Sequence, residues 1–434
     1  MEKFLRTIEK FIPKKVYSFS QPVYHYGMTL LGAIIYGFPA KKLYIVGMTG
    51  TKGKTSTSEI INAILEHAGK KTALSNGIRF KIGEKSRVNK YKMSMPGRFF
   101  MQKFLREAVN AGCTHAIVEM TSEGSKMFRH KFIWLDAFIF TNLAPEHIES
   151  HGSYAKYLQA KLNLADNLVG PKKNTILIVN GDDVESEHFL KKSADKKVSY
   201  SLSNSKPLDL TNGIKMRFNK TTLYSPLLGE FNAYNILAAA TFAKEIGISD
   251  ETIKEAVENL KQIPGRAQKI NGGQYEAGKN FDVYIDYAHT KESLEALYKS
   301  FPNQKKICVL GNTGGGRDKW KRPEMAKIAE QYCDDIILTD EDPYDEDPNQ
   351  IVDEMRKVIT KKPVTVIMDR RIAINTAISK AEKENHVVGE NNSNAVVLIT
   401  GKGTDPYIMG ANGTKTPWLD CEVATEEIKK VLAN

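Results

Sequence analysis

Leu43-Tyr44-Ile45-Val46-Gly47-Met48-Thr49-Gly50-Thr51-Lys52-Gly53-Lys54-Thr55 is the stretch on which the reading of this chain turns. Its opening residues are apolar and partly β-branched, as a short buried strand requires. The following nine, Gly47 to Thr55, hold three glycines and two lysines. Glycines allow successive backbone N–H groups to turn inward around an anion, and a helix starting just beyond adds its dipole. Thr55 to His67 has the apolar spacing of such a helix and stops at Gly69. Strand, Gly-rich turn and helix together predict a polyphosphate cradle, with Lys54 on the phosphates and the Thr55 hydroxyl on a metal ion. The match is non-standard, because the general P-loop pattern has Gly where Met48 stands. A glycine-rich turn without a ligand is the competing reading, and it leaves the two lysines unexplained.

Outward from that loop the alternation continues. Phe100 to Ala111 reads as a helix, and His115 to Glu119 as a strand delivering an acid at its carboxyl end. Ala137 to Thr141 and Thr175 to Asn180 read as strands, with a helix from Tyr154 to Leu168 between them. Val198 to Leu227, richer in Ser, Thr and Asn, reads as antiparallel strands, followed by helices at Asn232 to Ile246 and Asp250 to Leu260. Ile263-Pro264-Gly265-Arg266 looks like a boundary. Beyond it, strands at Asp282 to Asp286, Lys306 to Leu310, Ile336 to Thr339, Val364 to Ile367 and Ala395 to Thr400 alternate with helices. The prediction is an α/β fold: a P-loop central domain (43–263) with a mostly parallel sheet, then a Rossmann-like doubly wound domain (264–434).

Composition narrows the function. The 434 residues are 41% apolar and 26% charged, an ordinary globular balance, and too many for one small module. The net charge of +11 is spread along the chain, which suits anionic substrates and gives no basic stripe for nucleic acid. Cys113, Cys308, Cys333 and Cys421 lie far apart, so neither a disulfide framework nor a thiolate zinc site is expected, and a reducing cytoplasm fits. Val16 to Ala40 contains no charged residue and is flanked by Lys14-Lys15 and Lys41-Lys42. It reads first as a helix packed on the central domain, second as one lying in a membrane interface (16–40), and last as a span.

Several further segments resemble one family. Gly50-Thr51-Lys52-Gly53-Lys54-Thr55-Ser56 is similar to the phosphate loop of the Mur ligases, and Thr141 to Gly152 (TNLAPEHIESHG) to their TNLxxDHLDxHG segment. Tyr157 and Lys161 fall at the spacing of the family's YxxAK helix. Asn180 to Asp183, Gly229 to Asn235, Pro264 to Arg266, Asp286 to His289, Gly314 to Pro323 and Gly401 to Gly403 follow in family order. The resemblance runs from about residue 43 to 425 and is nearest to the branch adding the third residue of the peptidoglycan stem peptide. It implies a ligase that uses ATP to turn a peptide carboxylate into an acyl phosphate, which an amino acid amine then attacks.

On the same resemblance, Lys54, His147, Lys161 and Arg266 are catalytic, and Thr55, Glu119, His147 and Lys161 hold two Mg2+ ions, Lys161 being carbamylated. Gly50, Thr51, Lys52, Gly53, Lys54, Thr55 and Ser56 would bind ATP together with Asn235, Arg266, Asp286, His289 and Lys319. Closure of the second domain on the first would complete the site. Two departures stand out. Residues 1–42 replace the family's domain for the uridine nucleotide, so the acyl donor could be nucleotide-linked or lipid-linked. The family's DNPR motif for diaminopimelate corresponds to Glu341-Asp342-Pro343-Tyr344, which lacks the arginine. Glu341, Asp342, Tyr344, Gly401 and Asp405 are therefore the substrate candidates, and the surrounding acids favour lysine or ornithine. A monomer is expected. The alternatives are a folylpolyglutamate-synthase-like or archaeal-wall-peptide ligase, and a nucleotide-binding membrane module without catalysis.

Overall fold

The computed structural model describes residues 14–146, 148–271, 281–316, 318–388 and 395–433. They form two compact units. One comprises the chain up to Ser205 with Tyr234–Val257, and the other Lys206–Ala233 with the chain from Glu258 onward.

The first unit is built on an eight-stranded sheet. Its strands are β1 (Tyr44–Thr49), β2 (Thr72–Ser75), β3 (Arg79–Ile82), β4 (Lys85–Val88), β5 (His115–Glu119), β6 (Ala137–Phe140), β7 (Ile176–Asn180) and β8 (Lys196–Tyr200), in the order β4-β3-β2-β5-β1-β6-β7-β8. All pairs are parallel except β2 with β3 and β3 with β4. The chief helices are α1 (Lys14–Ile35), α2 (Lys54–His67), α3 (Arg98–Asn110), α4 (Ser122–Lys126), α5 (Ile148–His151), α6 (Tyr154–Ala165) and α7 (Ser186–Leu190). The strands β1, β5, β6 and β7 are almost wholly buried, as parallel strands covered on both faces must be. Because β1 sits between β5 and β6, the loops leaving these three strands meet at one crevice at their carboxyl ends.

Of the apolar stretch 16–40, residues 16–35 form a helix on this unit, within α1, and a separate 3-10 turn (Pro39–Lys42) follows. Thr29 and Ala33 are buried, and a Cβ on Gly32 would lie 3.6 Å from Phe99 Cα, so α1 and α3 approach closely through small residues. Arg106 of α3 donates to the Tyr36 carbonyl at 2.7 Å and the Gly37 carbonyl at 3.0 Å. No helix among the described residues is long and apolar enough to cross a membrane.

The second unit contains a six-stranded sheet, β12 (Gln268–Lys269), β13 (Phe281–Ile285), β14 (Lys305–Leu310), β15 (Asp335–Leu338), β16 (Val364–Val366) and β17 (Ala395–Ile399), ordered β12-β13-β17-β14-β15-β16. Apart from β12 it is parallel, and separate apolar clusters fill its two faces. Small antiparallel sheets accompany it: β9 (Leu208–Asp209) with β10 (Ile214–Phe218) and β11 (Thr221–Ser225), and β18 (Tyr407–Met409) with β19 (Lys415–Pro417). The antiparallel stretch expected from Val198 thus begins later, since Val198 to Tyr200 belong to β8 and pair parallel with β7. Five residues of polar sequence read alike whichever neighbour they have.

A second correction concerns the cysteines. Cys308 and Cys333 are joined in a disulfide, with Cα atoms 6.2 Å apart, while Cys113 and Cys421 are free. Cys308 lies on β14, and Cys333 directly follows the helix Lys321–Tyr332 that returns the chain to β15. A strand-helix-strand crossover brings the two together, and their 25-residue separation does not reveal it.

Candidate active site

The loop after β1 is held by its neighbours. Thr51 N donates to the Asn142 carbonyl at 2.8 Å, and Lys52 N to Asn142 Oδ1 at 2.9 Å. The Thr141 hydroxyl donates to the Lys52 carbonyl at 2.7 Å. The Thr51 hydroxyl meets the Tyr157 hydroxyl at 3.1 Å. Gly53 takes the left-handed φ of 82° that lets the chain enter α2, and a Cβ there would strike Asn235 Oδ1. Gly50 is equally confined, since a Cβ would collide with the Thr141 hydroxyl. Gly50→Ala is expected to weaken ADP binding about tenfold or more by calorimetry, because overpacking of this kind costs about 1–3 kcal/mol. Unchanged affinity would remove the loop from the nucleotide site.

Two lysines converge on this loop. Lys54 Nζ donates to the Gly50 and Thr51 carbonyls at 2.8 and 3.0 Å, and Lys161 Nζ to the same Gly50 carbonyl at 2.7 Å. Lys161, on α6, is 2% exposed, and its ammonium lies 4.7 Å from the centre of the Tyr157 ring. Burial, reinforced by the charge of Lys54, pulls the Lys161 amine well below its ordinary range. Lys52 pairs with Glu146 at 3.1 Å.

Beside the loop lie hard oxygen ligands. The Thr55 hydroxyl donates to Glu119 Oε2 at 2.8 Å, and Gly77 N donates to the same oxygen at 3.1 Å. A Cβ on Gly77 would lie 3.2 Å from Thr55 Oγ1, 3.8 Å from Glu119 Oε2 and 4.0 Å from Ser94 Oγ. Among the described residues no three His, Cys, Asp or Glu side chains converge as a metal cage. A hydroxyl and one carboxylate beside a phosphate loop suit magnesium, which keeps its waters and shares the phosphate oxygens. His147 lies outside the described residues. Glu119, Thr55, Lys54, Lys161 and Asn235 are brought together within this first unit.

The remaining candidates belong to the second unit. Asp286, at the end of β13, accepts from Ala267 N and Ala288 N, each at 2.6 Å, and burial raises its pKa against the opposing charge of Arg266. The Arg266 guanidinium stacks 4.6 Å from the Tyr287 ring centre, and His289 Nδ1 meets the Tyr287 carbonyl at 2.7 Å. Lys319 pairs with Glu346 at 3.2 Å.

The acids of 340–347 have separate fates. Asp342 is buried, with Oδ1 bonded to Lys402 Nζ and Met409 N at 2.8 Å each. Glu346 holds Arg322, Asp347 caps the helix Pro348–Arg356, and Asp345 accepts from Asn412 N. Glu341 differs. It is 3% exposed, Oε1 accepts from Thr313, and Oε2 has no hydrogen-bond partner. Burial first, and then the Asp342 charge, raises its pKa. Gly401, at φ 103°, leaves the space that Glu341 Oε2 fills. Asp405 N bonds the Lys402 carbonyl at 2.8 Å, and Tyr344 N the Met409 carbonyl at 3.0 Å. Sequence reading missed Asn142 and Ser94 as walls of the site; Asn142 stands in the quoted TNLAPEH run, whereas nothing local marks Ser94.

A P-loop α/β unit with oxygen ligands beside its loop, joined to a doubly wound unit, defines the class: a nucleotide-dependent enzyme of ligase architecture. The chain belongs to the Mur ligase family. Residues 48–243 match the Mur ligase middle domain and 265–403 the Mur ligase glutamate ligase domain. It is 32% identical over 424 residues to the UDP-N-acetylmuramoyl-L-alanyl-D-glutamate–2,6-diaminopimelate ligase of Bacillus cereus, covering 94% of this chain and 82% of that protein. The enzyme of the same name from Trichormus variabilis is 34% identical over 402 residues, covering 88% and 76%. A solved structure of such a ligase superposes with a TM-score of 0.60 at 26% identity, covering 90% of this chain and 79% of that one. A pseudomurein peptide ligase from Methanothermus fervidus shares the fold, with a TM-score of 0.62 at 19% identity over 90% and 79% of the two chains.

Proposed function

We propose that this protein is an ATP-dependent acid–amino-acid ligase that extends a peptidoglycan stem peptide, joining a UDP-N-acetylmuramoyl-dipeptide carboxylate to an amino acid. The observation that carries the reading is the meeting of Lys54, Thr55, Glu119 and Lys161 around one phosphate loop. The donor carboxylate attacks the γ-phosphorus of ATP, ADP leaves, and the acyl phosphate formed is attacked by the amine, which loses a proton as phosphate departs. Magnesium, when bound, neutralises charge on the transferring phosphoryl group. Lys54 would bind the phosphates, with Thr55 and Glu119 as ligands for a first ion. Carbamylated Lys161 with His147 would serve a second, and Asn235, Asp286, Arg266, His289 and Lys319 would contact the nucleotide. The division at 42/43 and 263/264, and action as a monomer, belong to the same proposal. Purified protein given ATP, magnesium, the muramoyl-dipeptide and a panel of amino acids should release phosphate and an amide product; absence of both would sink the reading.

For the incoming amino acid, the unpartnered Oε2 of Glu341 supports a cationic side chain, lysine or ornithine, as a buried carboxylate oxygen gains most from an ammonium. Glu341→Gln is expected to raise the KM for that amino acid about tenfold or more, with a smaller effect on kcat. Equal KM values in parent and variant would move the specificity elsewhere.

Peripheral contact with an anionic membrane face is supported by α1. Val23, Leu31, Ile34 and Ile35 are 70, 45, 56 and 59% exposed on this helix, and exposed Lys41 and Lys42 follow it. Leu31→Glu with Ile34→Glu should abolish flotation with phosphatidylglycerol vesicles; flotation equal to the parent's would end the idea.

A further inference from the structure

At the base of the hairpin β3–β4 stand two buried asparagines that nothing above uses, Asn76 just after β2 and Asn89 just after β4. Asn76 engages both lone pairs and both N–H groups of its side chain. Its Oδ1 accepts from Ile78 N and Arg79 N, and its Nδ2 donates to Ser58 Oγ and Glu59 Oε1 of α2, each at 2.9 Å. The first two bonds turn the chain so that Gly77 N meets Glu119 Oε2, the oxygen that also accepts from the Thr55 hydroxyl. The other two tie that turn to the helix carrying Thr55, whose carbonyl accepts from Ser58 Oγ at 2.7 Å. Asn89 works from the other side. Its Nδ2 donates to the Asn76 carbonyl at 2.8 Å and to the Met93 carbonyl at 3.0 Å, and its Oδ1 accepts from Tyr91 N at 3.0 Å. Ser75 Oγ donates to the next carbonyl, that of Ser94, at 2.9 Å. One buried network thus runs from the Thr55–Glu119 pair to Ser94, whose hydroxyl borders the same space over Gly77. Hairpin closure does not require it, because Asn89 N already donates to the Ile78 carbonyl at 2.8 Å. What the side chains add is the tie to α2 and to residues 93–94.

We propose that Asn76 and Asn89 are positioning residues for the reaction. Asn76 orients Glu119 and Thr55 toward a shared magnesium ion, and Asn89, helped by Ser75, holds the Ser94 wall at a fixed distance from that pair. The inference rests on the ligase reading for what crosses that distance. A phosphoryl group passing from ATP to a carboxylate must lie between the ion and the attacking oxygen, and a misplacement of about 1 Å costs about a hundredfold in rate. Both asparagines are sealed from solvent, so they act through the backbone groups they hold. A primary amide suits this task, since it offers donors and acceptors at once without adding charge beside Glu59 and Glu119.

Two arms test it. In the first, Mn2+ is titrated into protein saturated with ADP, and free Mn2+ is read by electron paramagnetic resonance, which needs no turnover. Asn76→Ala is expected to weaken Mn2+ binding about tenfold or more, as loss of a group that orients metal ligands does, while Ser75→Ala stays within about twofold of the parent. In the second arm, phosphate release is followed against the muramoyl-dipeptide and against ATP separately. Asn89→Ala and Ser75→Ala should lower kcat/KM for the dipeptide donor about tenfold with the KM for ATP unchanged; a merely structural role would lower the melting point and move both substrates together or neither. Ser75→Ala drops a single bond to Ser94 and so decides the second arm if Asn89→Ala does not fold. Asn76→Ser, which keeps an acceptor for the turn, decides the first arm in the same way. Mn2+ affinity equal to the parent's in the Asn76 variants, or equal changes for donor and ATP in the Asn89 and Ser75 variants, overturns the proposal. A parent that releases no product refutes the ligase reading and the donor half with it, while the metal half is still judged by the first arm.

Discussion

Lys161→Ala is expected to lower kcat about a hundred- to a thousandfold while leaving the melting temperature unchanged or slightly raised. The two halves of that result have one origin. A lysine 2% exposed, facing Lys54 and bonded to a carbonyl, is costly to hold charged, so its removal does not weaken the fold. The same burial and the charge of Lys54 favour the neutral amine, and a neutral amine is the form that adds carbon dioxide. In the carbamylation proposed above, its lone pair would form the N–C bond, a proton would leave the nitrogen for solvent, and the neutral amine would become an anion suited to magnesium. Loss of one such preorganised charge costs about 10²- to 10³-fold in rate. Phosphate release at saturating substrate measures the drop, and carbon-13-labelled bicarbonate should give a carbamate resonance in the parent that the variant lacks. A variant as active as the parent, or a parent without that resonance, would remove Lys161 from the chemistry.

The largest stability effect is expected at Asp420. Its carboxylate grips Arg370 at 2.9 and 2.8 Å, with both side chains buried, and also accepts from Trp418 Nε1 at 2.8 Å. Asp420→Ala leaves a guanidinium buried without its counter-charge and should cost about 3–5 kcal/mol in urea unfolding. Arg370→Met with Asp420→Leu should recover most of the loss, because the pair's own desolvation disappears with it. A cost below about 1 kcal/mol for the single variant would contradict the argument. The effect should reach the site. Arg370 Nη2 also holds the Thr400 carbonyl at 2.9 Å, at the end of β17 and next to Gly401, which faces Glu341. Asp420→Ala is therefore expected to raise the KM for the amino acid even under conditions where the variant stays folded.

These two positions show unequal legibility. Lys161 was found because Tyr157 and Lys161 recur one helical turn apart in a recognisable order of segments; that it is buried, and bonded to a residue 111 positions earlier, no window of sequence states. Asp420 carried no signal at all. Its partner lies 50 residues away on another helix, and an acid opening a helix reads as an ordinary exposed cap.

Local pattern by itself determined the alternation of strand and helix, the phosphate loop between β1 and α2, and the acid at the end of β5. Each depends on periodicity or on turn residues within about fifteen positions, and that information is written along the chain. Tertiary structure alone decided which of the acids after β15 keeps an unpartnered oxygen and which cysteines meet. Those outcomes depend on burial and on contacts between distant segments. Charge and hydrogen-bond balance at a point in space is a sum over everything packed there, and the order of residues along the chain does not contain that sum.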